Sequence, residues 1–298
     1  MTAQKLLDLL KAKSIVLELK GEGLSYSGPK EAVSSELLEL IRAHKTELIV
    51  ILTAARGGQG IVALERSGRR ESSFSQQRLW FLNELDPAAG AAYFIFDGVR
   101  LSGLLDRAVL QAALDRIVAR HDVLRASFTC DDGTVFQACN PCGVPFELSF
   151  TDLRGCPDDV REQAIALAHE GETRRGFDLA AGPLIRAQLL CFAADEHVLL
   201  LTQHHIVSDG WSIGVLIHEL NALYTAFCKN LPDPLPALAI QYADYAVWQR
   251  KLLRGDTLQR QVDFWRSHLS GAPALLELPT DRPRSAEQSY HGGRVPVR

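Results

Sequence analysis

At 298 residues the chain has room for two ordinary domains, or for one large domain with an appendage. Hydrophobic residues make up 47% and charged residues 23%, the balance of a soluble globular protein, and a formal net charge of -4 excludes bulk attraction to nucleic acid or to an anionic membrane. The opening MTAQKLLDLL lacks the apolar core and small-residue cleavage site of a secretory signal, and no stretch approaches the roughly 20 apolar residues that span a bilayer. A cytoplasmic location is expected, with neither nucleic acid nor membrane as partner.

The first 55 residues read as a separate small domain. Leu6, Leu9 and Leu10 recur at helical spacing, and SIVLEL and LSYS flank KGEG as two short strands about a glycine turn. A second helical region follows, with Leu37, Leu38, Ile41, Leu48, Ile49 and Leu52 as its apolar face and Ser34 or Ser35 as its cap. Seven basic side chains balance seven acidic ones here. So small a unit has little core, and a lone hairpin has open edges that an extended segment of another chain can join, so the domain reads as an adaptor. The alternative is a plain N-terminal extension packed on the main domain.

Residues 56–71 are rich in Gly, Ser and Arg without periodicity and read as a linker. The chain then restarts with SSFSQQRLWFL, where Ser73 and Gln76 have capping-box spacing. YFIFDGVRLSG alternates like a strand, and DRAVLQAALDRIVARHDVLR has helical spacing through Val109, Ala112, Ala113, Ile117 and Val118. SFTC and TVFQ flank DDG as a hairpin, and PLIRAQLLCF pairs with HVLLLTQHH around AADE. A helix is expected from about Ser212, with Ile213, Leu216, Ile217, Leu220, Leu223, Tyr224 and Phe227 on its buried face. The six cysteines are scattered, which suits reduced thiols; Cys139 and Cys142 have ligand-like spacing, but no second pair completes a zinc site.

TQHHIVSDGWS stands between that last strand and that helix. Side chains alternate along a strand, so His204 and His205 cannot both line one cavity, and only one can be the working group. The divergence argues against a metal, and none is expected. An imidazole at such a junction can accept a proton near neutrality. Asp209 and Gly210 are read as the turn, with Asp209 orienting it by an ion pair and Gly210 offering an N–H at the helix start. The bland alternative is that both histidines satisfy hydrogen bonds inside a core.

HHIVSDG resembles the HHxxxDG motif of nonribosomal peptide synthetase condensation domains, whose lobes are chloramphenicol acetyltransferase-like. SFSQQRLWFL, RHDVLRASF, GFDLAAGPLIRAQLL, QYADYAVWQR and LPTDRPRSAEQSYHGG resemble further stretches of that family, in the family's order. The first 55 residues resemble the TubC-type N-terminal docking domain, through element order and the KGEGLSYSGP hairpin.

The resemblance implies an α/β (α+β) fold: docking domain 1–55, linker 56–71, condensation N-terminal lobe 72–235, and the start of a C-terminal lobe, 236–298. It implies amide formation between a carrier-bound acyl or peptidyl donor and an aminoacyl acceptor. Both arrive on phosphopantetheine arms of partner carrier proteins, so no cofactor is expected in this chain. It makes His205 the catalytic histidine and Gly210 N–H a candidate to steady the reacting group. His204, Asp209, Arg120 and Arg125 become structural, Asp209 pairing with an arginine of the second lobe. Asp122 stands where the family has glutamate, and Ser127 where it has threonine. The hairpin, through Leu17, Leu19, Lys20, Leu24, Ser25, Tyr26 and Ser27, is expected to take the C-terminal tail of an upstream synthetase subunit as an added strand. The sequence ends soon after HGG, before the late Phe-Val-Asn-Thr motif, so a truncated second lobe and an inactive chain are expected. The alternatives are a non-catalytic docking fragment and, less favoured by DGWS and the front-end module, an epimerisation domain. Heterocyclisation is less favoured still, because that branch replaces the paired histidines.

Overall fold

The computed structural model describes residues 3–20, 23–29, 33–49, 60–66, 68–86, 90–141, 146–276 and 279–281. The chain divides into two units, Met1–Val62 and Ala63–Arg298. The fold class is mixed α/β. Among the described residues no helix is long and apolar enough to cross a membrane.

In the first unit α1 (Ala3–Ala12) leads into the antiparallel pair β1 (Val16–Lys20) and β2 (Gly23–Ser27), followed by α2 (Ser35–Ala43). Ser34 is the cap of α2, its hydroxyl accepting the Leu37 N–H at 3.2 Å. Leu6, Leu10, Ile15 and Leu48 form a small core closed by Leu17, Leu37 and Ile41. Gly28 lets the chain pass close under Ile15, where a Cβ would lie 3.1 Å from the Ile15 Cα.

The second unit begins inside the stretch expected to be linker. Arg70–Glu71 forms a short strand, β3, and the Leu64 N–H is held at 3.1 Å by a carboxylate oxygen of Asp244. A strand of two residues is too brief for periodicity to show. Residues 56–59 lie outside the described set. Helix α3 (Phe74–Leu85) starts with the expected capping box: Gln76 N–H to Ser73 Oγ at 3.2 Å, and Ser73 N–H to Gln76 Oε1 at 3.0 Å.

Strands β4 (Phe94–Ser102), β7 (Leu148–Asp152), β8 (Ile185–Ala193) and β9 (Glu196–His204) make a four-stranded sheet in the order β4-β9-β8-β7, antiparallel except for β7 on β8. A smaller antiparallel sheet runs β3-β6-β5, where β5 (Ala126–Asp131) and β6 (Thr134–Cys139) meet at Asp132-Gly133. Both turn residues have positive φ, 47° and 77°, as a type I′ hairpin requires.

Helices α4 (Arg107–Arg120) and α6 (Gly210–Cys228) bury Leu110, Ile117, Leu216 and Leu220 against Leu189, Leu199 and Leu201 on one sheet face. Helix α5 (Asp158–Arg175) covers the other, over Leu190, Phe192, Val198 and Leu200. With both faces covered, β9 is an almost continuous buried run.

Helix α7 (Tyr242–Leu252), in the stretch assigned to the start of a second lobe, is fastened to residues of the first: Arg250 donates to the Ser72 carbonyl at 2.8 Å and to Gln77 Oε1 at 2.7 Å. Helix α8 (Gly255–His268) follows, with Phe264 and Trp265 exposed. The HGG stretch and most of LPTDRPRSAEQSYHGG lie outside the described residues.

Candidate active site at the end of β9

Strand β9 delivers His204 and His205 to opposite environments, as alternation requires. His204 is fully buried, edge-on to Phe94 and Phe177 with ring centroids 5.7 and 6.2 Å away. Its Nδ1 accepts the Ile206 N–H at 3.0 Å, so that nitrogen carries a lone pair and the neutral ring keeps its proton on Nε2. Burial, with a smaller contribution from His205, brings its pKa down to about 4, so the ring is uncharged at neutral pH.

His205 is exposed. Its backbone N–H still donates to the Tyr93 carbonyl at 2.9 Å, so the residue sits on the sheet's last rung. Its Nδ1 lies 2.6 Å from the Ser208 carbonyl oxygen. A carbonyl only accepts, so Nδ1 must carry the hydrogen, and the neutral ring presents its lone pair at Nε2. The two histidines are thus opposite tautomers, fixed by backbone partners within four residues.

The reversal differs in detail from expectation. The chain turns before Asp209, with the Val207 N–H returning to the His204 carbonyl at 3.0 Å. Asp209 is extended (φ -145°, ψ -178°) and caps α6, its Oδ1 accepting the Ser212 N–H at 2.8 Å and the Ser212 hydroxyl at 2.6 Å. Those two bonds, hydroxyl first, hold its carboxyl below the usual range. Among the described residues no basic side chain pairs with it. Helix α6 accordingly begins at Gly210, two residues earlier than its apolar stripe suggested. Gly210 needs no positive φ, and apart from its own turn of helix no described atom lies within 4 Å of where its Cβ would stand, which leaves that side of the helix start open. The Gln76 side chain donates to the Ile206 carbonyl at 3.3 Å, fixing the loop to the α3 cap.

The arginines lie behind this loop rather than in it. Arg120 is buried and joins α4 to α6, Nε donating to Glu219 Oε1 at 3.1 Å, while His121 Nε2 meets Glu219 Oε2 at 2.6 Å. Arg125 folds back to donate to the Val118 carbonyl, to the Ala119 carbonyl at 2.7 Å and to Asp122 Oδ1 at 2.8 Å, closing the C-terminal end of α4. Asp122 thus pairs with the Arg125 guanidinium. Glu219 was not foreseen, although one acid within an otherwise apolar helix stripe is a legible sign of a buried partner. The Ser208 carbonyl leaves no mark in a sequence.

In the first unit the expected docking residues divide by face. Leu17 belongs to the core and Leu24 packs on it, Tyr26 is half exposed, and Ser25 and Ser27 alternate to the opposite face. Leu19 and Lys20 contribute backbone to β1, and their side chains lie outside the described set. No third strand joins β1 and β2 among the described residues. Cys142, of the CNPC spacing, lies outside that set too.

Residues 68–298 match the family model for the condensation domain. The chain belongs to the condensation-domain family. Residues 4–53 match the TubC N-terminal docking domain. Among relatives, Malpinin synthetase of Mortierella alpina is 45% identical over 237 residues, which cover 80% of this chain and 3% of that one. The dimodular nonribosomal peptide synthase of Bacillus subtilis is 40% identical over 248 residues, 79% of this chain and 10% of that one. The condensation-family chain thus spans 10% or less of the length of these two relatives. Among solved structures, the EpoB NRPS cyclization-docking bidomain from Sorangium cellulosum superposes with a TM-score of 0.73 at 24% identity, covering 94% of this chain and 55% of that one. At that identity the likeness is one of fold. The X-domain from teicoplanin biosynthesis gives a TM-score of 0.64 at 32% identity, over 76% of this chain and 49% of that one.

Proposed function

We propose that this chain is part of a nonribosomal peptide synthetase subunit and supplies the histidine loop for amide-bond formation between two carrier-bound thioesters. The observation that carries the reading is the His205 ring: Nδ1–H is held by the Ser208 carbonyl, and Nε2 is left as an acceptor on an exposed side chain at the start of α6. The acceptor amine attacks the donor thioester carbon; a C–N bond forms, the C–S bond breaks, and the thiol returns to the donor's carrier. Nε2 of His205 accepts the amine's hydrogen bond, and the Gly210 N–H steadies the oxygen on which charge develops. Holding amine and thioester together supplies up to roughly 7–11 kcal/mol. His204 stays neutral and buried beneath and fixes the loop backbone.

The phosphopantetheine arms belong to donor and acceptor carrier proteins, the reaction is a cytoplasmic one, and no serine of this chain needs modification. The hairpin of the first unit takes the C-terminal tail of an upstream subunit through its open strand edges.

The test is intact-protein mass spectrometry with loaded carriers, applied to this chain, to a longer polypeptide that continues beyond Arg298, and to the longer polypeptide carrying His205→Ala. Amide product from the longer wild type, reduced about 100-fold or more by the substitution, is expected; equal product from both would sink the role given to His205.

A further inference from the structure

Gln203 stands two residues before His205 on β9, on the sheet face shared by Leu199 and Leu201. It is 1% exposed, yet neither its amide oxygen nor its amide nitrogen has a hydrogen-bond partner among the described residues. Buried polar atoms are nearly always paired, and an unpaired donor and acceptor on one side chain is a rare arrangement. Gln203 is one of the residues lining a cleft of about 150 Å³ walled by Ile117, Val207, Val215 and Leu216 and bordered by Trp211, which is 84% exposed. Ser208, whose carbonyl holds the His205 ring, lines the same cleft. One short segment therefore mounts the histidine and forms a wall of the cleft.

A group that satisfies both ends of Gln203 must offer a donor and an acceptor side by side, as a carboxamide does through two antiparallel N–H···O bonds. The apolar walls require a short hydrocarbon stem, and a cavity of this size accommodates a small organic group. We propose that the cleft is a substrate subsite that takes an amide group of one of the two thioesters, with Gln203 as its specificity-determining residue. This rests on the condensation reading. The amide comes either from the side chain of an aminoacyl group or from the pantetheine arm that every substrate shares.

The first experiment needs no turnover. The 298-residue chain, labelled with ¹⁵N, is titrated with propionamide and, as the apolar control, with cyclopentane. Propionamide is expected to move the Gln203 side-chain NH₂ and the Trp211 indole signals; Gln203→Leu, and Gln203→Met should the first fold poorly, are expected to weaken it about tenfold while leaving cyclopentane unchanged. Unmoved signals, or equal propionamide affinity in both folded variants, would overturn the proposal.

The second experiment uses the longer, condensing polypeptide with glutaminyl and leucyl thioesters, each as donor and as acceptor. A loss of about tenfold in kcat/KM confined to the glutaminyl substrates assigns the amide to the side chain. An equal loss for every substrate assigns it to the arm, and no loss overturns the subsite. If the longer wild type forms no amide at all, the condensation reading falls, while the propionamide titration still decides whether the cleft binds amides.

Discussion

The β8–β9 and β1–β2 hairpins are of similar sequence simplicity and opposite fate. β8–β9 sits in the middle of a sheet, flanked by β7 and β4 and covered on both faces, and all but the first residue of β9 is buried. β1–β2 is a pair of five-residue strands over a small core, with no third strand among the described residues, and Val16 is 54% exposed. The difference lies in pattern. A continuous apolar run, HVLLLT, makes a strand that must be enclosed, whereas the alternation of VLELK makes one that keeps a face and its edges open. The enclosed hairpin can hold two histidines in fixed opposite orientations, and the open one is suited to receive another chain.

The contrast is broken most severely from inside the large unit. Arg120→Met leaves Glu219 buried with His121 as its remaining partner, and a loss of about 3–5 kcal/mol is expected, with much of it recovered by adding Glu219→Leu. Leu199→Ala, at a fully buried site in the centre of β9, is expected to cost about 2–5 kcal/mol. Both are read by urea denaturation followed by tryptophan fluorescence, since all four tryptophans, Trp80, Trp211, Trp248 and Trp265, belong to the second unit. Unchanged midpoints would mean that the sheet does not carry that unit's stability.

His204 adds a pH dependence with a definite sign. Its folded pKa is about 4, against about 6.5 in an unfolded chain, so between those values the unfolded state takes up a proton that the folded state refuses. Stability from this group is complete above about pH 6.5, falls as the pH drops towards 4, and is level below. The change is expected to reach on the order of 1–3 kcal/mol. His204→Gln removes the titration, and a denaturation series from about pH 7 to about pH 4 that is equally steep in both proteins would contradict the burial argument. Ser73→Ala comes next, at about 1 kcal/mol for the loss of an N-cap.

Local chemistry made much of this legible. The capping box at Ser73 and Gln76, the Asp132-Gly133 hairpin and the β8–β9 pair each depend on neighbours a few residues apart, and the structure has all three. What was illegible depends on distant partners or on backbone. β3 is two residues long and exists because β6 accepts it; α5 is so polar that its spacing carries little signal; β7 lies parallel to β8, a pairing no short pattern encodes. At the site, alternation alone separated His204 from His205. The Ser208 carbonyl that sets the His205 tautomer and the unpartnered Gln203 amide emerge only when the turn and the cleft are built.

The smallest effect on stability tests the open hairpin. Tyr26 is 49% exposed and lies opposite Leu17 on β1, so Tyr26→Ser removes a side chain that gives the small core little cover. Its thermal denaturation is expected to change by no more than about 0.5 kcal/mol. Backbone hydrogen bonds provide affinity in strand addition and exposed side chains along the edge provide selectivity, so the same substitution is expected to weaken binding of the upstream subunit's C-terminal peptide several-fold, measured by calorimetry. Leu17→Ala should do the reverse, lowering the unit's stability because Leu17 is in its core. A Tyr26→Ser protein that binds the peptide as tightly as the wild type would remove this side chain from the docking surface and leave the edge backbone as the contact to test.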